Sequence, residues 1–417
     1  MKYKAEIFDK VQYLYEETGF NDHQLHCVIR FTGKINEVLL RKATMLLLEA
    51  IPILSCRYDH NNGRDYWEST ITSIEEVLQV VQEKTEFDNF TTSKVDELMG
   101  PQIKMCLYPS DQDALSIILN HMVCDAAGFK ECLYVFSAIY SELINNPQYR
   151  PDFEINGVRS IEKILKDISF SKKLRSLLFN NSESNQDSEI LFPTSADKNI
   201  FPFIITSELG PEKLLKIQEH CKKNDVTVND VFLAAYYRLL YKKVNTNKDL
   251  LHIPIMVDMR RYSKQYRFDS LCNFSSTMII QTPISPNENF TDTLMKISKE
   301  MNLKKTTDIG LNGFVQLSLI DKLLNNEKSY KLVQEKLVNP SICMTNIGVI
   351  EDQKLVFNGT NIKSAFICGS IKYRPHFQMA LSSFKNTITL SSNLYGSQQD
   401  YETITDFLTE IENELPI

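Results

Sequence analysis

One histidine and one aspartate stand four residues apart in "ALSIILNHMVCDAAGFKECLYVF", Ala114 to Phe136. The stretch runs from an apolar segment through a short polar turn into a pattern with helical spacing. "ALSIILN" reads as a buried strand ending at His121. Phe129, Cys132, Leu133, Phe136, Ile139, Tyr140 and Leu143 fall on one helical face. Between them Asp125, Ala126, Ala127 and Gly128 are small or turn-tolerant, as a chain reversing sharply into a helix requires. A histidine held there by a rigid strand can project a ring nitrogen into a cleft, and its ordinary pKa near ~6.5 suits it to take a proton at neutral pH. The same pattern also fits a core histidine with Asp125 as the N-cap of the following helix. A third possibility pairs Cys124 with His121 as the nucleophile of a thiol hydrolase, across one tight turn.

The rest of the chain limits the chemistry. A length of 417 residues predicts two domains and a cleft between them. With 43% hydrophobic and 24% charged residues the composition is that of a globular protein, and no window approaches the ~20 apolar residues of a membrane span. Glu6, Asp9, Glu16 and Glu17 interrupt the first twenty residues, unlike a secretory signal, so a cytoplasmic location is expected. Nine cysteines without a C-x-x-C pair predict reduced thiols, with neither zinc ribbon nor disulfide framework. His23 and His26 are close in sequence, but no neighbouring cysteine or carboxylate cluster completes a ligand set, so no metal is expected. A net charge of −7 without a basic block argues against a nucleic-acid partner.

Strand and helix signals alternate along the chain. "QLHCVIRFT" alternates as a strand, and "INEVLLRKATMLLLEAI" follows as a helix capped by Asn36 and stopped by Pro52. "ILSCRYD" and "RDYWEST" read as strands around the turn "HNNG", and "PQIKMCLYP" pairs with "ALSIILN" through "SDQD". "NNSESNQDSEILFPTSADK" is too polar to bury and predicts a linker over 181–200, between lobes 1–180 and 201–417. After it come a strand over 201–209, a helix opening at Pro211, and a long helix capped by Thr227 with Asp230 three residues on. Two strands at 250–260 and 273–282 follow, then helices over 288–304 and 313–336. Strands near 341–347, 362–370, 376–383 and 386–393 precede a final helix over 401–415. The order strand, helix, helix, strand recurs in both halves, which predicts an α+β chain of two similar lobes.

Four stretches together resemble the H-x-x-x-D acyltransferase superfamily of condensation proteins, alcohol acyltransferases and chloramphenicol acetyltransferase. They are "FNDHQLHCVIRFTGKINEVLLRKATMLLLEAIPILSCRY", the motif "NHMVCDAAG", the helix "TVNDVFLAAYYRLL", and the pair "VDMRRY" and "CNFSS". The resemblance implies two chloramphenicol-acetyltransferase-like lobes, each a mixed sheet packed with helices, with an active-site channel between them. It implies His121 as general base on a hydroxyl or amine that attacks a thioester, with no covalent acyl-enzyme. Asp125 would be structural, paired with Arg260 of the second lobe rather than with Arg261. Asn120, Gly128, Asn273, Thr345 and Asn346 are the implied substrate-binding or oxyanion residues. No permanently bound cofactor is implied; acyl-coenzyme A or an acyl-phosphopantetheine would be a co-substrate. The partners would be a small-molecule acceptor and an acyl or peptidyl carrier protein, which Arg260, Arg261, Lys264 and Arg267 would meet. Four positions depart from the pattern: Ile51 and Asn120 replace histidines, and Ala126 and Cys272 replace glycines. Asn120 and Ala126 point to a stand-alone acyltransferase more than to a peptide-synthetase domain. A non-catalytic docking module with the same fold is the alternative.

Overall fold

The computed structural model describes residues 2–60, 65–178, 190–244, 250–283, 288–306, 309–324, 326–336 and 339–417. Strands β1 (Lys2–Lys4), β3 (Cys56–Asp59) and β4 (Tyr66–Ser69) form a small antiparallel sheet in the order β1-β4-β3. Strands β2 (Gln24–Phe31), β5 (Leu78–Val80), β6 (Ile103–Tyr108) and β7 (Ala114–Asn120) build the N-terminal sheet. Its fifth strand, β12 (Ile362–Cys368), arrives from far along the chain, and the order is β12-β2-β7-β6-β5. The remaining strands are β8 (Phe201–Leu209), β9 (Leu250–Asp258), β10 (Ser275–Pro283), β11 (Ile342–Val349), β13 (Lys372–Tyr373), β14 (Phe377–Phe384) and β15 (Thr387–Gly396). They form the C-terminal sheet in the order β10-β9-β11-β14-β15-β13, with β8 on β15.

Each sheet supports its own core. β7 is central, paired with β2 and β6, and every one of its residues is buried. Such a strand is a continuous apolar run because both of its faces are covered. Helices Glu37–Ala50 and Ala126–Asn145 pack together over one face, and helix Lys84–Thr91 lies against β6 and β7. Helices Pro211–Asn224, Val228–Lys243, Phe290–Thr306 and Gln398–Glu414 serve the C-terminal sheet. A further apolar cluster joins the lobes, with Ile7 and Val11 meeting Ile164, Met259, Phe274 and Phe314.

The termini of the helices follow local chemistry. Asn36 Oδ1 accepts from Leu39 N (3.1 Å), and Thr227 and Asp230 exchange side-chain bonds with each other's backbone N–H. The helix expected over 313–336 is instead two, Leu311–Leu323 and Asn326–Lys336, the first ending where Leu324 turns to extended backbone (φ −110°, ψ 147°). The last helix starts earlier than its apolar pattern, at Gln398, where Ser397 caps it. Helix Ile7–Glu17, β1, β5 and the short helices before residue 178 carry periods too brief or too polar to stand out in the sequence. Of the expected turn "HNNG", residues 61–63 lie outside the described residues, as do 181–189 of the expected linker; residues 190–200 form no element. Among the described residues no helix is long and apolar enough to cross a membrane.

Residues 201–417 do not stay within one sheet. β12 pairs with β2 from Ile362↔Phe31 to Cys368↔His26, and Ile367 N donates to Ser382 Oγ on β14 (3.3 Å). The lobes are therefore laced by a strand as well as by packing. Expressed alone, residues 1–178 lack the strand that covers β2 and the ring of Phe357, which packs edge-on against Phe31 and Phe136. Thermal unfolding of that fragment is expected to show no cooperative transition. A monomeric fragment melting as sharply as the whole chain would contradict this.

Candidate active site

The motif begins where β7 ends. Asn120 is buried, and its amide is spent on the turn: Nδ2 donates to Gln102 Oε1 (2.7 Å) and Oδ1 accepts from Met122 N (2.8 Å). The backbone beyond it is claimed group by group. His121 N donates to His23 O (2.8 Å), Val123 N to Asn120 O (3.1 Å) and Asp125 N to Cys272 O (3.4 Å). Asn273 Nδ2 bridges the carbonyls of His121 (2.9 Å) and Met122 (3.0 Å), and Arg159 Nη2 reaches those of Met122 (3.4 Å) and Val123 (3.2 Å). Buried backbone groups need such partners, and here they leave the loop little freedom.

Asp125 sits at the centre of the clamp. Its Oδ1 caps the following helix through Gly128 N (3.0 Å) and accepts from Arg260 Nη2 (3.0 Å). Its Oδ2 accepts from Arg260 Nη1 (2.8 Å), Phe274 N (2.7 Å) and Ser275 Oγ (3.3 Å). The pair is bidentate, the geometry that gives arginine–carboxylate contacts their strength. Arg260 also donates to Cys272 O (3.1 Å) and Asp258 Oδ1 (3.1 Å), and lies against the rings of Tyr266 and Phe274. Burial alone would push the Asp125 carboxyl up, but the Arg260 charge and the hydrogen bonds outweigh it and hold the group below the usual carboxylate range. Burial would likewise lower Arg260, and Asp125 raises it instead.

His121 keeps one ring nitrogen without a partner among the described residues. The residue is half-buried, and Nδ1 is sealed from solvent without a hydrogen-bond partner. Burial lowers the imidazole pKa below its ordinary 6.5, opposed in part by its own backbone and the Asp125 charge, and helped by Lys372. An imidazole with its pKa held down stays neutral at lower pH. The thiol of Cys124 is fully buried and pushed well above its usual range by that burial, which removes it as a nucleophile.

Several expected residues have other work. Asn273 is not free to meet an oxyanion, because its donors hold the two loop carbonyls. Asn346 is exposed, bonded to Asn229 Oδ1 (3.1 Å) and Gly348 N (2.9 Å). Gly128 is demanded by packing: a Cβ there would stand 2.8 Å from Cys124 Cβ. Thr345 on β11 is half-buried. Arg260 belongs to a helical turn, Met259–Tyr262, rather than to the strand, so strand alternation is not what separates it from Arg261. Arg261, Lys264 and Arg267 are exposed.

Two groups lay beyond sequence reasoning. Arg159 grips Asp9 with both nitrogens (2.7 and 2.9 Å) and Leu271 O with Nε (2.8 Å), while Trp67 Nε1 donates to Asp9 Oδ2 (2.7 Å). The one signal was Asp9 on the apolar side of an otherwise amphipathic helix. His23, for which no carboxylate neighbour was expected, has two: Glu16 Oε2 lies 3.1 Å from Nδ1 and Glu97 Oε2 3.3 Å from Nε2. They flank a residue at φ +41°, a strained backbone for histidine, whose carbonyl takes the His121 amide.

The fold accounts for this arrangement along the whole chain. The first condensation domain of the calcium-dependent antibiotic synthetase superposes with a TM-score of 0.74 over 100% of this chain and 96% of its own, at 11% identity. The chain has the condensation-domain fold. The same likeness extends to polyketide synthase associated protein 5 from Mycobacterium tuberculosis, with a TM-score of 0.70, 14% identity and coverage of 99% and 96%. It extends also to the trichothecene 15-O-acetyltransferase from Fusarium sporotrichioides, at 0.69, 10%, and 99% and 95%. No family model matches the sequence, and no curated protein sequence matches it. At such identities the condensation-domain fold is shared, and residue roles rest on this chain's own geometry.

The Asp125–Arg260 pair carries a testable stability. Replacing Arg260 with Met leaves a buried carboxylate uncompensated and is expected to cost about 3–5 kcal/mol in urea unfolding. The folded-state pKa of Asp125 lies below its unfolded value near 3.8, so this contribution is full above about pH 4 and fades as pH falls through that window. The deficit of Arg260→Met should therefore shrink in acid; a deficit that is constant with pH, or below about 1 kcal/mol, would count against the clamp.

Proposed function

We propose that the protein is an acyltransferase that moves an acyl group from a thioester to a small-molecule hydroxyl or amine, with His121 as general base. The observation that carries this reading is the contrast within the loop. Its backbone groups are tied down by Asn120, Asn273, Arg159 and His23, while Nδ1 of the His121 ring has no hydrogen-bond partner among the described residues. The condensation-domain fold supports it.

The chemistry follows from that ring. Neutral His121 accepts the proton of the acceptor as its oxygen or nitrogen adds to the thioester carbon; the tetrahedral intermediate collapses, the carbon–sulfur bond breaks, and the thiolate takes the proton from the imidazolium. Positioned proton removal is worth roughly 10²- to 10⁴-fold, and holding both reactants in one channel between the lobes supplies much of the rest. Asp125 and Arg260 position the loop and stay out of the proton transfer. With Asn273 engaged, Thr345 is the remaining side-chain candidate for the oxyanion, beside backbone N–H groups. The donor is acyl-coenzyme A or an acyl-phosphopantetheine on a carrier protein, which the exposed Arg261, Lys264 and Arg267 would meet.

Release of free thiol from acyl-coenzyme A and from acyl-loaded carrier protein, with a panel of alcohols and amines, tests the reading. His121→Ala is expected to lower release by roughly 10²- to 10⁴-fold with the unfolding transition unchanged. Equal release by mutant and wild type would reject the base. Acceptor-dependent release by neither, with either donor, would favour a binding module of the same fold.

A further inference from the structure

Lys372 has no place in the acyl-transfer reading, and its surroundings are unusual. It lies on β13, where the chain leaves β12 in one sheet and enters the other. It pairs with Leu394 and is bridged to Asn21, two residues before the histidine whose carbonyl holds the His121 amide. Its side chain is 4% exposed, yet the ammonium makes no hydrogen bond or ion pair with any described residue; Nζ lies 3.8 Å from the centroid of the Phe20 ring. Phe20 is itself packed against Tyr15 and His376, so the ammonium lies among rings.

The carboxyl whose charge acts on it, Asp22, does not pair with it. Asp22 is fully buried and pushed up to about 7 by that burial; its Oδ1 accepts from Gln24 N (3.2 Å) and Ile371 N (2.9 Å), and its Oδ2 has no partner. No ion pair forms between Asp22 and Lys372. Burial holds the ammonium below the usual lysine range, with Cys343 and Asp22 opposing weakly, and the Lys372 charge in turn acts on His121. A cation–π contact worth roughly 0.5–2 kcal/mol offsets only part of what a buried ammonium loses in hydration.

A nearly buried cation without an anion among the described residues, on a strand bridged to the segment whose His23 carbonyl holds the His121 amide, is left open to an anionic ligand. We propose that Lys372 is a specificity residue which pairs with a carboxylate of the substrate beside His121. The inference rests on the acyl-transfer reading for the word substrate, but the pairing itself is a binding property. The phosphates of a coenzyme A donor lie at the far end of its pantetheine arm from the thioester, so the carboxylate belongs to the reacting end, in the acceptor or the acyl chain. Hydroxy or amino acids, or half-esters of dicarboxylic acids, are the chemical classes that fit.

Titration calorimetry separates the two sources. One arm sets a graded series of short hydroxy acids against their methyl esters; the other sets glutaryl-coenzyme A against hexanoyl-coenzyme A. Wild type is expected to bind the acid roughly ten- to a hundred-fold tighter than its neutral counterpart in one arm. Lys372→Met, similar in length and uncharged, should abolish that preference while keeping its unfolding transition, and Lys372→Arg should restore part of it. Equal binding of acid and neutral twin in both arms by wild type, or an undiminished preference in Lys372→Met, would overturn the proposal. Repeating the titrations in His121→Ala keeps the two readings apart. A preference that survives there, with thiol release unaffected by the same mutation, would refute the base and leave the Lys372 pairing standing.

Discussion

A single buried ion pair fixes the geometry on which the site depends. Asp125 closes the turn after β7 and caps the following helix; Arg260 comes from the other lobe, after β9. Because each charge is desolvated, each requires the other, and the two lobes are locked at the point where His121 stands. The N–H of Phe274 and the carbonyl of Cys272 join the same knot, so the loop between β9 and β10 is held by the motif that it holds. The strand crossing through β12 and the apolar seam from Ile7 to Phe314 then spread that constraint along the length of the interface.

Around this pair the molecule spends polar groups to make one side chain available. Asn120, Asn273, Arg159 and His23 each satisfy part of the turn, and none of them is bound by more than local necessity to be polar. Their common effect is a loop whose backbone has few alternatives and whose imidazole Nδ1 has no partner among the described residues. Preorganisation of this kind places the reorganisation cost in folding rather than in the reaction. The lysine at the sheet junction adds an ammonium without an ion pair among the described residues.

The histidine, the aspartate and its arginine were legible because their signals are local or familial: a buried strand, a turn of small residues, and a helix with an apolar face. The lobes were legible for the same reason, in caps such as Asn36 and Thr227. What the sequence hid depends on distance. Arg159 meets Asp9 across 150 residues and Glu97 meets His23 across 74, and no pattern of spacing encodes such pairs. Asn273 was read as a free donor because its partners, two loop carbonyls 151 and 152 residues away, have no side-chain signature. β12 was legible as a strand but not as a member of the first sheet, since an alternating segment does not name its partner. Nothing in the sequence around Lys372 marks it as buried, because its cover comes from a strand pairing and from Phe20, 352 residues earlier.

The central claim is that neutral His121, held by the Asp125–Arg260 clamp, removes the acceptor's proton. Its most direct test is the pH dependence of kcat/KM for thiol release, measured across the acid range in wild type and in His121→Gln. The account predicts a limb that rises with pH and levels off through a pKa below 6.5, since burial favours the uncharged ring, and no such limb in the mutant. A wild-type profile flat through that range, or the same inflection in His121→Gln, would contradict it.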